Sequence, residues 1–556
     1  MFNKNLELID NVALKRRLSK ILPEESKRGI SYCVTPSNDY VLLKDELPAD
    51  DLNNPREAIK KSLKDTIKRE MNSNDIIITF GIGLCYLLDE VFNTYPSRIY
   101  VYEPDLNLLH FVLNNVDISE HLSSGRIFIT NDLDELINKL SSNFLTKDKV
   151  EIVYLQNYAV AKNKELLMLT QKDFDACKSK MVDVNTIVRF SKAWLYNTIG
   201  NLAYINTKDT YLLSDLEGKY SGRTALIAGA GPSLEDNIAN IKANREKFVV
   251  FAVNKNVQYL LKNDIKPDFV VCLDAMNMDR TLGSLENNFA EMNAIVDLRT
   301  DNAIMKKGFA KIFFNFSETD FLMKKLSEKN NFIKFNETGG SAATFALTAA
   351  IKMGFSKIVL AGIDLAFKDN IIYAYGETMQ RVSQEQIIVD NTRKNLVQVK
   401  SVTGGMVYTR EDYQAFIHHF AHIIKEANYT EVYNISSFGA YIEGAKNVKF
   451  EDLYLNPEVL MPPVSFVQPF KLQMKEFIDE EFCNINNIIS ILSKGVFSPA
   501  LISAIVKSTM LYQYLQPEIL VVLQKNFAPE LAEDFIEKTK TAIKIVVEQL
   551  QKNRLV

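Results

Sequence analysis

The sequence has no Cys-x-x-Cys pair, and its five cysteines (Cys33, Cys85, Cys177, Cys272 and Cys483) lie far apart. That spacing gives neither a zinc knuckle nor a disulfide framework, and it suits small buried hydrophobes in a reducing cytosol. No GxxxxGK[ST] loop is present, which excludes a Walker-type ATPase, and no GxSxG elbow. Nowhere do about eighteen apolar residues run together, so no membrane-spanning helix is expected. The opening MFNKNLELIDNVALKRR has charges throughout and no apolar signal core, which makes a cytoplasmic location the expectation. A net charge of −4 lacks the basic excess of a general nucleic-acid binder. What remains is a 556-residue chain, 47% hydrophobic and 24% charged, long enough for about two to four domains.

Three textures divide the chain, at residues 1–165, 166–450 and 451–556. The first alternates strand-like and helical runs: DIIITF, a Gly81-Ile82-Gly83 turn and a helix, then RIYVYE, a second helix, RIFITND and VEIVYLQN. This predicts a Rossmann-like α/β domain with a parallel sheet. A GxG turn followed by Glu103 about twenty residues on has the shape of a dinucleotide site. Leu84 and Cys85 stand where small residues are needed, which favours a structural turn over a cofactor site. The middle texture opens with helical sequence around Trp194 and continues with RTALIAGA, FVVFAVN, DFVVCLDA, AIVDLR, KIFFNF, FIKFN, KIVLAGID and EVYNIS, with helical runs between several of them. A second, larger parallel α/β domain is predicted. The last texture carries apolar residues at three- and four-residue spacing with no strand signal, which predicts an all-helical domain.

In an open α/β sheet, ligands bind outside the carboxyl ends of the strands. Reading those ends in the middle domain gives Gly229, Gly231 and Ser233, then Asn254, then Asp274, and finally Gly362 and Asp364. Thr338-Gly339-Gly340-Ser341 precedes a long helix. Pro232 and Ser233 fit the first turn of a helix whose unpaired N–H groups would face an anion, and TGGS repeats the device. Asn254 both donates and accepts, as base or ribose recognition requires. Two Gly-rich turns with polar strand ends favour a nucleotide pocket over two tight turns.

Other chemistries fit less well. Asp132-Leu133-Asp134 reads as helix-start acids, and Asp173-Phe174-Asp175 lies in a charged helix, so neither is a convincing metal-binding DxD. His418 and His422 share a helix face at zinc-binding spacing, but no Glu follows His418 and no third ligand accompanies them. No metal site is expected.

LIAGAGPSLEDN, FAVNKNVQYLLKNDIKPDFVVCLDA and ETGGSAATFALTAAIKMGFSKIVLAGIDLAF, in that order, resemble the motility accessory factor (Maf) family of flagellin glycosyltransferases. The resemblance spans about residues 190 to 445, and the central domain also looks like the GT-A-like bacterial sialyltransferases and the 6-hydroxymethylpterin pyrophosphokinase-like (MptE-like) group. It implies transfer of a nonulosonic acid, of pseudaminic or legionaminic type, from its CMP-activated form to Ser or Thr of flagellin, with no cofactor beyond the CMP-activated donor. Carried over by residue, Gly231 and Ser233 would lie against the CMP phosphate and ribose, and Asn254 would bind the nucleotide. Gly339 and Gly340 would approach the donor by their backbone. Tyr373 takes the place of a tyrosine that holds the departing phosphate, and Ser436 and Ser437 would line the cytidine pocket. Ala230 replaces an Asn of the sialyltransferases, and no histidine lies between Asp364 and Phe416, where those sialyltransferases have their catalytic histidine, so the base is unassigned. Asp274 and Asp364 are the remaining candidates, each also readable as an orienting carboxylate. Arg410 falls where the histidine is missing and would steady a substrate carboxylate.

A CMP-activated sugar carries one phosphate as its leaving group, so inverting transfer without a metal is expected. The alternatives are an Mg-ATP-dependent pterin diphosphotransferase and a non-catalytic flagellin-binding assembly factor.

Overall fold

The computed structural model describes residues 1–143, 148–282, 289–317, 320–332, 339–367, 396–427, 430–455, 463–495, 497–525 and 527–556. The chain forms two compact units, Met1–Asn185 and Thr186–Val556.

The first unit begins with a small antiparallel sheet of β1 (Ile30–Val34), β2 (Tyr40–Lys44) and β3 (Leu47–Pro48). Four parallel strands follow: β4 (Ile76–Phe80), β5 (Arg98–Tyr102), β6 (Ile127–Thr130) and β7 (Val150–Tyr154), in the order β6-β5-β4-β7. Every residue of β4 is buried, which explains why its sequence IIITF is apolar without alternation. The expected Rossmann-like α/β architecture is present.

The second unit is built on β8 (Tyr211–Leu212), β9 (Thr224–Ala228), β10 (Val249–Val253), β11 (Phe269–Cys272), β12 (Asn293–Asp297), β13 (Lys311–Asn315), β14 (Lys357–Ala361), β17 (Glu431–Asn434) and β18 (Lys446–Asn447). They form one sheet in the order β18-β17-β14-β9-β10-β11-β12-β13-β8, with every pairing parallel. A separate antiparallel hairpin, β15 (Leu396–Lys400) and β16 (Met406–Arg410), precedes the helix Glu411–Glu426. The expected run FIKFN falls mostly outside the described residues.

Successive residues of a strand face opposite sides of a sheet, and β9 shows the consequence. Ala225 and Ile227 join a core containing Phe345 and Ala349 of the helix Ala342–Lys352. Leu226 and Ala228 join the other core. That second core runs on into the C-terminal helices Lys475–Ser493, Pro499–Lys507, Thr509–Gln524 and Ala532–Lys552 through Phe477, Ile485, Leu501, Leu511 and Val546.

A fully buried acid fixes the turn between two of those helices. Glu481 accepts from Ser508 Oγ at 2.8 Å and from the Thr509 N–H at 3.0 Å, Thr509 Oγ1 at 2.9 Å and the Met510 N–H at 3.2 Å. It therefore satisfies the first N–H groups of the helix Thr509–Gln524, and Lys325 lies 3.4 Å from the same carboxylate. Glu481→Ala strands these donors and is expected to cost about 3 kcal/mol, seen as a lower thermal unfolding midpoint. Glu481→Gln, which keeps one acceptor, should lose less; an unchanged midpoint in the alanine variant would show the carboxylate to be dispensable.

Candidate active site

From β9 the chain steps outward through β10, β11, β12 and β13, then returns through the helix Ala342–Lys352 to place β14 on the opposite side of β9. The carboxyl ends of β9 and β14 thus form a topological switch point, where the two following loops diverge and leave a crevice. A cleft of about 290 Å³ opens there, lined by residues that follow β9, β10, β11 and β14, by the start of the helix Ala342–Lys352, and by the end of β16.

The Gly-Ala-Gly corner is glycine because the two loops touch. A Cβ on Gly229 would lie 2.5 Å from Ile363 Cδ1, and one on Gly231 would lie 2.7 Å from Asp364 Cγ. Gly362 has φ +65°, and a Cβ there would lie 2.8 Å from Leu234 Cβ. Gly229 and Gly231 donate their N–H groups to Ala361 O and Gly362 O, each at 2.8 Å. All three glycines line the cleft, but close packing of protein on protein already requires them.

Asp364 changes the reading of Ser233. The Ser233 N–H donates to Asp364 Oδ2 at 2.8 Å, and Ser233 Oγ donates to Oδ1. Ser233 is fully buried, the helix proper begins at Leu234, and Ser233 is absent from the cleft lining. The anion expected at this helix start is the protein's own carboxylate. Asp364 is only 2% exposed and uses both oxygens in this clamp, the arrangement of an orienting carboxylate rather than a base.

The second Gly-rich turn does face the cleft. Gly339 and Gly340 take φ values of +66° and +78°, which favour glycine. Ser341 caps the helix Ala342–Lys352 in a reciprocal box: its Oγ accepts the Thr344 N–H at 3.1 Å, and Thr344 Oγ1 accepts the Ser341 N–H at 3.1 Å. Gly340, Ser341, Ala342 and Ala343 line the cleft, and Gly339 supports the turn from outside the lining. Thr338 and Tyr373 lie outside the described residues.

Asn254 is buried and donates from Nδ2 to Asp274 Oδ2 at 2.8 Å. Asp274 is exposed on the cleft wall, and the loop behind it is pinned by Asn197 Nδ2, which donates to Ala275 O at 2.8 Å. Arg410, at the end of β16, reaches the cleft because Thr409 Oγ1 donates to Leu365 O at 2.6 Å and the Phe367 N–H to Tyr408 O at 3.1 Å. Leu365 sits at φ +46°, a left-handed conformation at the cleft wall. Ser436 and Ser437 do not line the cleft: Ser436 is buried with its N–H on Asn434 Oδ1 at 3.0 Å, and Ser437 Oγ donates to Asp236. Ser437 thus ties the loop after β17 to the helix Leu234–Ala243, as does Asn237 Nδ2, which donates to Ile435 O at 3.0 Å.

Sequence reasoning passed over Lys255, Asp412, Tyr413 and Phe416, all in the lining. The segment Arg410-Glu411-Asp412-Tyr413 carries its own signal, a charge cluster at a strand-to-helix junction. Asn256 was also missed; its Nδ2 donates to Ala228 O at 2.8 Å and Gly229 O at 2.6 Å, closing the end of β9. Asp132 accepts the N–H groups of Asp134 and Glu135 at 2.9 and 3.1 Å, as a helix-start acid. His418 and His422 are both exposed, and among the described residues no group of three or more His, Cys, Asp or Glu is placed to hold a metal.

Residues 196–370 match the family described as 6-hydroxymethylpterin diphosphokinase MptE-like. This segment is similar to MptE-like domains. It holds the glycine corner, Asn254, Asp274, the TGGS turn and Asp364, while Arg410 lies beyond it. Over its whole length the chain has the fold of the MAf glycosyltransferase from Magnetospirillum magneticum AMB-1, with a TM-score of 0.68, 14% identity and 96% of that chain covered. The Maf and MptE-like resemblance drawn from the motifs is borne out at this level. An uncharacterized protein of Treponema pallidum (strain Nichols) is 30% identical over 99 residues, a match spanning 18% of this chain and 45% of that one. No helix among the described residues is long and apolar enough to cross a membrane.

The Gly81-Ile82-Gly83 turn of the first unit is filled from within. A Cβ on Gly81 would lie 2.6 Å from Tyr158 Cδ1, and one on Gly83 would lie 2.8 Å from Leu155 Cδ1. Glu103 accepts the Ile82 N–H at 3.0 Å, the Asp105 N–H at 2.9 Å and the Tyr158 hydroxyl, so its carboxylate serves the turn itself. Complete burial pushes the Glu103 carboxyl up to about 7, against the hydrogen bonds that pull it down. The folded state thus holds this proton more tightly than the unfolded chain, and stability falls as pH rises from the ordinary carboxylate range through about 7. Glu103→Gln removes that titration, so its unfolding midpoint should drop less than wild type between about pH 5 and about pH 8. Equal drops would assign the pH dependence to other groups.

Proposed function

We propose that this chain is an inverting glycosyltransferase that moves a nonulosonic acid, of pseudaminic or legionaminic type, from its CMP-activated donor to Ser or Thr hydroxyls of flagellin. The observation that carries this reading is the exposed Asp274, oriented by buried Asn254, in the same cleft as Lys255, Arg410 and the helix start at Ser341. The fold shared with a Maf glycosyltransferase supports it. In this reading the Ser341–Ala343 turn and Lys255 take the single phosphate of the donor, and the Tyr373 hydroxyl assists. Arg410 reaches both the phosphate and the sugar carboxylate of the donor. The acceptor oxygen attacks the anomeric carbon, the bond to the phosphate oxygen breaks, CMP leaves with that electron pair, and the acceptor proton passes to Asp274. No diphosphate needs chelation, so the reaction runs without a metal.

Asp274→Asn is expected to lower transfer by about 10²–10⁴-fold while CMP binding persists. Co-expression with flagellin and the donor pathway, followed by intact-mass measurement, reads this directly. Unmodified flagellin with the wild-type protein would leave a non-catalytic, flagellin-binding role, and loss of transfer on EDTA treatment with recovery on Mg²⁺ would overturn the metal-free mechanism.

One observation favours a second reading, transfer of a diphosphate from Mg-ATP to a pterin: the family description matched by residues 196–370. Thermal unfolding with CMP or with ATP and Mg²⁺ separates the two. Stabilisation by CMP alone is the expected outcome, and stabilisation by ATP only with Mg²⁺ would favour the diphosphokinase.

A further inference from the structure

Arg410 and Asp412 both line the cleft, and they hold each other. Arg410 Nε donates to Asp412 Oδ1 at 2.9 Å and Nη2 donates to Oδ2 at 2.6 Å. This two-pronged geometry is the one a guanidinium offers to a carboxylate or phosphate of a ligand. Resting on the reading of the cleft as the site of an anionic donor, we propose that Asp412 is an internal stand-in for the donor's anionic group. Donor binding displaces the Asp412 carboxylate from Arg410, and Asp412 thereby sets the affinity of the site and its selection for charged over neutral ligands.

The exchange is physically easy in each of its parts. The two side chains are 33% and 41% exposed, and an ion pair this open to water is only marginally stabilising, so a ligand oxygen can replace it. Asp412 is not stranded when it leaves. It lies in the first turn of the helix Glu411–Glu426, where the helix dipole favours an acid, and its Oδ1 already accepts the Tyr413 N–H at 3.0 Å. Arg410 is held from another side: its Cζ lies 4.4 Å over the Tyr413 ring, and Phe367 stacks on that ring with centroids 6.4 Å apart. The guanidinium therefore keeps its place as its partner changes. A neutral ligand gains nothing from Arg410 that offsets the loss of Asp412, so the pair works as a filter for charge.

Titration calorimetry with CMP and with uncharged cytidine tests this on the full chain. Asp412→Asn is expected to bind CMP about three- to fivefold more tightly, with cytidine affinity unchanged. Arg410→Gln should weaken CMP about tenfold, and the gain from Asp412→Asn should vanish in the double variant, because the two residues act as a unit. Asp412→Ser keeps an acceptor for the Tyr413 N–H and should reproduce the gain if Asp412→Asn folds poorly. Unchanged CMP affinity in both Asp412 variants overturns the inference and leaves the donor reading standing. A gain that persists in the Arg410→Gln background also overturns it, since Asp412 would then be a general repulsive charge. If no form binds CMP, the inference and the donor reading fall together.

Discussion

The Asp364 carboxylate receives the backbone N–H and the hydroxyl of Ser233, and these bonds join the loop after β14 to the loop after β9 at the point where the strand order reverses. Much of the cleft is built outward from this contact. The Asp364 carbonyl accepts the Ala440 N–H at 2.7 Å, which brings in the loop after β17. The next residue, Leu365, receives Thr409 Oγ1 and so fixes the end of β16 that presents Arg410. Gly231 must be glycine for the clamp to close, because a side chain there would run into the carboxylate. A buried charge in such a position is stable only when its oxygens are fully used, which ties the geometry of both loops to one residue.

The clamp also divides labour between the two Gly-rich helix starts beside the cleft. The start near Ser233 is neutralised by the protein's own acid and becomes scaffold. The start at Ser341 carries its own box with Thr344 and opens on the cleft. An anionic ligand therefore meets a cleft with an open helix start at Ser341, the cations Lys255 and Arg410, and the carboxylates of Asp274 and Asp412, rather than two symmetrical phosphate cradles. Asn254 lines the same cleft and orients Asp274 there through its amide. The first unit carries the same logic further: Glu103, Tyr158 and Leu155 occupy the space that a GxG turn leaves for a cofactor.

Much of the fold was legible because long apolar runs such as IIITF and TALIA have few alternatives to a buried parallel strand, and the helical runs between them require crossovers. The short edge strand Tyr211–Leu212 and the hairpin of β15 and β16 were not, since two polar-patterned strands with mixed burial carry little periodic signal. At the site, Asp274 lies on the cleft wall where the rule that strand ends face ligands puts it, Gly340 and Ser341 lie there at a Gly-rich helix start, and Arg410 joins them from β16, while Ser233, Ser436 and Ser437 lie outside the lining. A hydroxyl in sequence does not show whether its partner will be a ligand or a side chain 131 residues away, as Asp364 is from Ser233.

The sequence by itself determined which apolar runs form the buried strands, where the glycine turns fall, and that polar groups gather at one end of a parallel sheet, because these follow from local sterics and hydrophobic period. Only the tertiary structure decided which of those groups remain open to a ligand. Hydrogen-bonding capacity is finite, and a donor claimed by a distant acid, as the N–H and hydroxyl of Ser233 are by Asp364, is committed to shape.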